Sequence, residues 1–409
     1  MAKKLSRRAF GLGVAATGAA ATTSFRIGAA RAAGEPLKIG GLLPTSGFLA
    51  LIGQACQRGR DLALPILKDM GYSIELMNAD TESDTERARL QAERLIREGA
   101  HVLLGAFESG QTLVISQVAE QHGIPFVIDI GSEPTITERG FKYVFRNFPT
   151  SVLLATNGIN RFGDIFQAAG KTPKSAVLMH VNDTFGQSMR KAIDAFDEGG
   201  KLPFKIIEKI AYDPQAKDLS IEVAKAKAAG AELHMVVTRL NDAILMVREM
   251  VKQRYDTMGI ISPGSPGMYD KQFLKVLGKY GNYQITNVPW LDRKQALTQQ
   301  LEQAFYKAYP NESFDLNAGF CFEGMLICAD AHKRAGSTKP DALAAALRQT
   351  NLAQRVMIGG AIHFDAKGQN PDQTSAAVQN LDGKPVAVLP VARAEAKLVF
   401  PQPSWTQRG

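Results

Sequence analysis

The chain has 409 residues, 48 Lys and Arg against 40 Asp and Glu, and a formal net charge of +8. Six of the bases (Lys3, Lys4, Arg7, Arg8, Arg26, Arg31) fall in the first 32 residues, which hold no acid; 48 less those six leaves 42 bases against 40 acids, a net of +2. A polyanion partner such as nucleic acid is therefore not implied. Three cysteines, Cys56, Cys321 and Cys328, are too few for a disulfide scaffold. On one helix Cys321 and Cys328 would stand about 10.5 Å apart, beyond the roughly 7 Å that a bridge spans, so all three read as small buried apolar side chains. Six histidines without an HExxH motif or a pair at ligand spacing give no metal site.

In chain order, the first segment is Met1-Ala2-Lys3-Lys4-Leu5-Ser6-Arg7-Arg8-Ala9-Phe10, followed by a soft Gly/Ala stretch to about Thr23. This is the pattern of a twin-arginine-type signal peptide, with small residues for cleavage at Ala30-Arg31-Ala32 and cutting expected between Ala32 and Ala33. Residues 1–32 are thus expected to be removed, and the remainder to be soluble and periplasmic. No other apolar run approaches the eighteen or so residues of a membrane span.

The roughly 375 remaining residues exceed one comfortable core. Strands are expected at Leu37–Leu43, Tyr72–Met77, His101–Phe107 and Pro125–Ile130, alternating with helices at Ala50–Met70, Asp84–Arg97 and Ser109–Gln121. A second series has strands at Ser175–Val181, Phe204–Ala211, Glu232–Thr238 and Met258–Ile261, with helices at Thr184–Glu198, Asp218–Ala229 and Asn241–Arg254. The run Tyr283–Trp290, helices at Lys294–Tyr309, Asp315–Arg334 and Pro340–Gln349, a strand at Gly359–Phe364 and a hairpin over Ala376–Leu389 complete the chain. Such alternation means βαβ units and parallel sheets. Asp84, Ser109, Thr184 and Asp218 sit where N-caps belong, and Gly71, Gly99 and Gly230 where helices stop.

Open parallel sheets bind ligands beyond the carboxyl ends of their strands. Three segments put small or aromatic residues there. In Gly105-Ala106-Phe107-Glu108-Ser109-Gly110-Gln111-Thr112, Ser109 either caps the helix or holds an anion together with the amides of Gly110 and Gln111. Ile130-Gly131-Ser132-Glu133-Pro134 offers the Ser132 hydroxyl, or is an ordinary turn. Asn182-Asp183-Thr184-Phe185-Gly186 brings Phe185 to the start of a helix, where a lone Phe also fits a core.

Ser109-Gly110-x-Thr112, Gly123-Ile124-Pro125, the turn from Pro134 to Phe141, Tyr143-Val144-Phe145-Arg146 and Asp183-x-Phe185-Gly186-Gln187, with Leu42-Leu43-Pro44-Thr45-Ser46-Gly47 at the front, together resemble the branched-chain amino-acid type of periplasmic binding protein. The order and spacing hold from about Leu37 to Phe364. The resemblance implies an α/β fold of two doubly wound, Rossmann-like lobes joined by three crossovers. Lobe 1 would take residues 35–149 plus about 280–352, and lobe 2 residues 150–279 plus about 353–409. It further implies a ligand in the cleft, with its carboxylate gripped by Ser109, by the backbone at Ile130 and by Ser132.

The departures from the family pattern bear on the ligand. Phe185 stands where amino-acid binders commonly carry Tyr, and Pro263-Gly264-Ser265-Pro266 stands where they place an acid for the ammonium. Arg239, at a strand end, is either a bidentate clamp on a carboxylate or the partner of Asp242 or Glu108. Phe48, Leu49 and Phe107 are expected to supply apolar walls. The resulting expectation is the substrate-binding component of an ABC importer, monomeric, without cofactor, taking an aromatic or aliphatic carboxylate and working with membrane permease subunits. The alternatives are a binder of branched-chain or other amino acids or small amides, and a receptor feeding a membrane sensor. No GxGxxG after a strand, Walker loop, GxSxG elbow or kinase signature points to an enzyme.

Overall fold

The computed structural model describes residues 35–408; the leader assigned to residues 1–32 lies outside them. Five strands, β1 (Leu37–Leu43), β2 (Ile74–Asp80), β3 (Val102–Gly105), β4 (Phe126–Ile128) and β5 (Val144–Arg146), form a parallel sheet in the order β2-β1-β3-β4-β5. Between them run α1 (Ala50–Asp69), α2 (Thr85–Arg97), α3 (Ser109–His122) and the short α4 (Thr135–Glu138). Side chains alternate between two covered faces, so the central strands β3 and β4 are wholly apolar, whereas the edge strand β2 carries Glu75, Asn78 and Asp80. Leu104, Val127 and Phe145 join the cluster that holds Ile52, Cys56 and Ala63 of α1. Their neighbours Leu103, Phe126, Ile128 and Val144 face the opposite way, onto Ala88, Ala92 and Leu95 of α2 and Ile115 and Val118 of α3.

The second layer comprises α5 (Ser151–Ala169), β6 (Ser175–Val181), α6 (Thr184–Glu198), β7 (Lys205–Tyr212), α7 (Ser220–Ala228), β8 (Leu233–Val237), α8 (Leu240–Lys252), β9 (Ile260–Ser262), α9 (Lys271–Leu277) and β10 (Ile285–Val288). The chain then forms α10 (Ala296–Ala308), α11 (Leu316–Ala335), α12 (Pro340–Arg348), a two-residue ribbon of β11 (Asn351–Leu352) with β12 (Ile362–His363), and the hairpin β13 (Ala376–Leu381) and β14 (Lys384–Leu389). The sheet order is β14-β13-β10-β9-β8-β6-β7, parallel from β10 to β7 and antiparallel at the hairpin edge.

Three expectations need correction. β10 pairs with β9 and β13 in the second sheet, so the chain returns to the first lobe beyond Val288 rather than near residue 280. β5, α5 and α9 were not expected as elements. Of the four proposed caps only Asp84 holds: the caps of α3 and α6 are Glu108 and Asp183, whose carboxylates accept from the amides of Gln111 and Gly186, and α7 is preceded by Leu219.

α11 packs back along α1 in the first lobe. The approach is close because Gly59 has no side chain; a Cβ there would lie 2.3 Å from the Ala318 carbonyl oxygen. The crossovers run side by side, joined by bridges between Arg146 and Gln369 and between Leu291 and Met357. At their centre the fully buried Glu323 of α11 accepts from Asn147 Nδ2 (2.7 Å), Arg355 Nε and Nη2 (both 3.2 Å), and the amides of Val356 (2.7 Å) and Met357 (2.9 Å). The carboxylate thus ties the crossover segments to one helix.

Candidate ligand site between the lobes

Strand ends from both sheets meet around a cavity lined by Phe107, Ser109, Ile130, Gly131, Ser132, Phe148, Phe185, Arg239, Gly264, Pro266, Tyr269, Val288, Leu316 and Asn317. Seven of the ten residues expected at the site line it: Phe107, Ser109, Ile130, Ser132, Phe185, Arg239 and Gly264. The other three do not. Gln111 lies within the first lobe, where its Oε1 accepts from Thr81 Oγ1 at 2.6 Å and its amide donates to Glu108. Phe48 and Leu49 face a separate cleft that shares only Arg239 with this cavity, and the Phe48 carbonyl accepts from Asn241 Nδ2 at 3.1 Å. The apolar walls beyond Phe107 and Phe185 come instead from Phe148, Val288 and Leu316.

The first-lobe wall is built by the turns after β3 and β4. Phe107 holds φ 72, a left-handed backbone that costs a non-glycine residue about 1 kcal/mol. With Glu108 as the cap, Ser109 is the first residue of α3, and its Oγ accepts from the Ser132 amide at 3.3 Å, which leaves its proton free to donate. Ser132 Oγ is buried and has no partner among the described residues. The Ile130 amide, by contrast, donates to Asp129 Oδ1 at 2.7 Å, so the resemblance overstates it: Ile130 contributes a wall, and its N–H is already used. Asp129 in turn pairs with Arg60 at 2.7 Å and accepts from Cys321 Sγ at 3.3 Å; all three cysteines are buried free thiols.

The second-lobe wall comes from the ends of β6, β8 and β9. Arg239 reaches the cavity with its guanidinium paired to Asp183 and lying 3.5 Å from Glu108 of the other lobe, over the Phe185 ring at 5.2 Å. Burial works against its charge, but the two carboxylates outweigh that and hold its pKa above the usual guanidinium value. Asp242 serves the Arg239 backbone, not its side chain: its oxygens accept from the amide at 2.9 and 3.0 Å and from the Tyr212 hydroxyl. At Gly264 a Cβ would stand 3.0 Å from Leu154 Cβ, and Ser265 turns away to bond Ser262 and the Val236 carbonyl. The lining therefore holds one cation and no carboxylate.

Sequence reasoning missed Tyr269 and Asn317, both of which line the cavity and are buried. Tyr269 follows β9 in a loop, and Asn317 opens α11 behind the cap Asp315, whose carboxylate accepts from the Asn317 amide at 2.8 Å. Burial, and then the neighbouring Asp270, push the Asp315 carboxyl up to about 7. Among the described residues there is no cluster of three metal-ligating side chains, and no helix is long and apolar enough to cross a membrane.

The family described as periplasmic binding protein matches residues 36–384. A Leu/Ile/Val-binding protein homolog 8 of Brucella suis is 27% identical over 419 residues, covering 97% of this chain and 99% of the relative. Among solved structures, the branched-chain amino acid transporter substrate binding protein LivJ of Streptococcus pneumoniae, in complex with isoleucine, superposes with a TM-score of 0.76 at 19% identity, covering 90% of this chain and all of that one. An ABC transporter solute binding protein of R. palustris, in complex with benzoate, superposes with a TM-score of 0.75 at 22% identity, covering 87% and 96%.

Proposed function

The chain belongs to the periplasmic binding protein family, and on that premise we propose that it is the capture component of an ABC importer, taking a small aromatic or aliphatic carboxylic acid without an α-amino group. One observation carries the choice of ligand: the cavity lining holds Arg239 and two serines but no Asp or Glu. The α-ammonium of an amino acid would be stripped of water and given no opposite charge, which is costly. A carboxylate meets the Ser109 and Ser132 hydroxyls and the remaining donors of Arg239. Phe107, Phe148 and Phe185 receive the hydrocarbon. Isoleucine and benzoate both occur on this fold, in the S. pneumoniae and R. palustris proteins, so the fold alone does not choose between them.

The cycle follows from the two walls. Ser109 and Ser132 belong to one lobe and Phe185 and Arg239 to the other, so a ligand that touches all four binds the closed form better than the open one. That difference in affinity is the free energy with which the ligand holds the hinge shut, and the closed form is what the permease subunits would recognise. The protein acts as a soluble monomer outside the cytoplasm.

The test is a thermal-shift and titration panel of benzoate, short aliphatic acids, leucine, isoleucine and valine. A ligand at about 100 times its Kd adds about 2.7 kcal/mol of stability. The acids should raise the melting temperature and the amino acids should not; stabilisation by leucine, isoleucine or valine alone would sink the proposal.

A further inference from the structure

A further cleft joins the lobes without sharing a lining residue with the ligand cavity. One wall is α1 and the segment before α11, with Arg58, Glu312 and Asp315; the other is the start of α9, with Asp270, Lys271 and Lys275. The first wall belongs to the first lobe, because α11 packs on α1, β3 and β4, and the second to the other lobe, because α9 packs on α8. The two walls touch where Lys271 Nζ donates to the Asn311 carbonyl.

The bases of this cleft are engaged elsewhere. Arg58 pairs with Glu312 at 3.3 Å, Lys271 is held by the Asn311 carbonyl, and Lys275 is exposed. Each lobe is left with one carboxylate whose hydrogen bonds come from amides. Asp315, 3% exposed, accepts from the Asn317 amide at 2.8 Å and from Asn317 Nδ2 at 3.5 Å; Asp270, half-buried, accepts from the Gln272 amide at 2.6 Å. Burial, and then the Asp270 charge, push the Asp315 carboxyl up to about 7, against the Asn317 and Ala318 amides and Arg58. Burial raises Asp270 as well, with Glu312 acting in the same direction and the Gln272 amide and Arg58 against it. The other titratable groups at hand are Cys56 and Tyr269, both buried, and burial keeps the Tyr269 hydroxyl protonated.

We propose that closure of the lobes is coupled to uptake of a proton by the Asp270–Asp315 pair, so that the protein holds its ligand more tightly as the surrounding medium turns acid. The inference rests on the hinge closure described under the proposed function. Opening carries Asp270 away with the second lobe and admits water to Asp315, and both changes favour the ionised carboxylate. The closed form therefore takes up a proton that the open form releases, and by linkage protons favour closing. The contribution is complete below the pKa of the open form and is lost as pH rises through about 7, the value in the closed form.

The experiment compares wild type, Asp315→Asn and Asp270→Asn at pH 6, 7 and 8. Dissociation constants are measured for benzoate and for isoleucine, and the radius of gyration is measured for the empty protein. Benzoate stays ionised throughout this range. Between pH 6 and 8 the wild type should lose about tenfold in affinity, or expand when empty, according to which form is populated at pH 6. Asp315→Asn keeps an oxygen for the Asn317 amide but cannot ionise, and should show at pH 8 the affinity and radius of the wild type at pH 6. Asp270→Asn should leave a smaller pH dependence. If Asp315→Asn folds poorly, Asp315→Ser keeps a capping oxygen without a charge and serves in its place. A wild type whose radius and measurable affinities are flat with pH overturns the coupling. So does a pH dependence that survives unchanged without the Asp315 carboxylate, which would assign the titration to another group such as a histidine. PH-dependent binding of isoleucine alone supports the coupling and removes the carboxylate reading, whereas pH-independent binding of benzoate to a protein of constant radius does the reverse.

Discussion

Two buried arginines, Arg60 and Arg239, show how one residue type takes two roles. Arg60 is 0% exposed and is paired inside a single lobe, where its Nη2 donates to Asp129 at 2.7 Å and to the carbonyls of Leu104 (3.1 Å) and Leu42 (3.3 Å), while its Nε and Nη1 have no partner among the described residues. Arg239 is also buried, yet its two carboxylates come from different lobes: Asp183 from its own and Glu108 from the other, 3.5 Å away. Partners that move together make a permanent joint. Partners that separate when the hinge opens make a joint whose strength depends on conformation, and Arg239 also faces the cavity. Burial alone does not distinguish the two; the ownership of the partners does.

The largest expected effect is at the permanent joint. Arg60→Leu strands Asp129 without a counter-ion and should cost about 3–5 kcal/mol of stability, read as a lower denaturation midpoint, with ligand affinity of the folded fraction unchanged. A loss of affinity without a loss of stability would break the contrast.

Asp315 sharpens it from the side of a charge with no adequate partner. Its folded pKa of about 7 lies above the unfolded value of about 3.9. The protonated carboxyl therefore stabilises the fold at acid pH, and that contribution is lost as pH rises from about 4 through 7. Asp315→Asn keeps a capping side chain and should be more stable than wild type by on the order of 3 kcal/mol near pH 8, with the difference vanishing near pH 4. A constant difference across this range would show that Asp315 does not titrate as described.

At the mobile joint, Arg239→Ala should weaken carboxylate binding by about 2 kcal/mol, roughly thirtyfold, by removing a charge-assisted contact. Unchanged affinity would remove Arg239 from the site. The smallest change is Glu108→Gln, which keeps a side-chain oxygen for the Gln111 amide at the start of α3 and takes away the charge that Arg239 meets across the lobes. It should shift the empty protein toward the open form by about 1 kcal/mol, measured as a larger radius of gyration in X-ray scattering; no expansion would mean that the contact does not help hold the lobes together.

The elements that sequence periodicity revealed are those whose environment is local. β1 and β6 run over the expected residues because strands buried on both faces read as unbroken apolar runs between turn residues. α5 escaped notice although Thr150 caps it and Gly170 ends it, since Asn157, Gly158 and Gly163 dilute its apolar stripe. Gly158 is explained only by the folded chain: a Cβ there would lie 2.1 Å from the Pro263 carbonyl oxygen. The same division runs through the site. Ser109, Ser132, Phe185, Arg239 and Gly264 were legible because each lies just past a strand end. Tyr269 and Asn317 were not, because one sits in an irregular loop and the other reaches the cavity only when α11 folds back onto α1. Ile130 and Gln111 were assigned too much because the partners that occupy their polar groups, Asp129, Thr81 and Glu108, cannot be read from a spacing.

One helix connects the cavity to the crossovers. α11 carries Asn317 at the cavity and Glu323 among the crossovers, six positions and about 9 Å further along a rigid rod. A change at the cavity end alters which ligand is preferred. On the closure proposed above, a change at the Glu323 end would alter only how often the closed form is visited, and so would multiply every dissociation constant by one common factor. Discrimination and occupancy can therefore drift separately along a single helix, and two homologues with the same pocket can differ in the concentration they sense without differing in what they sense.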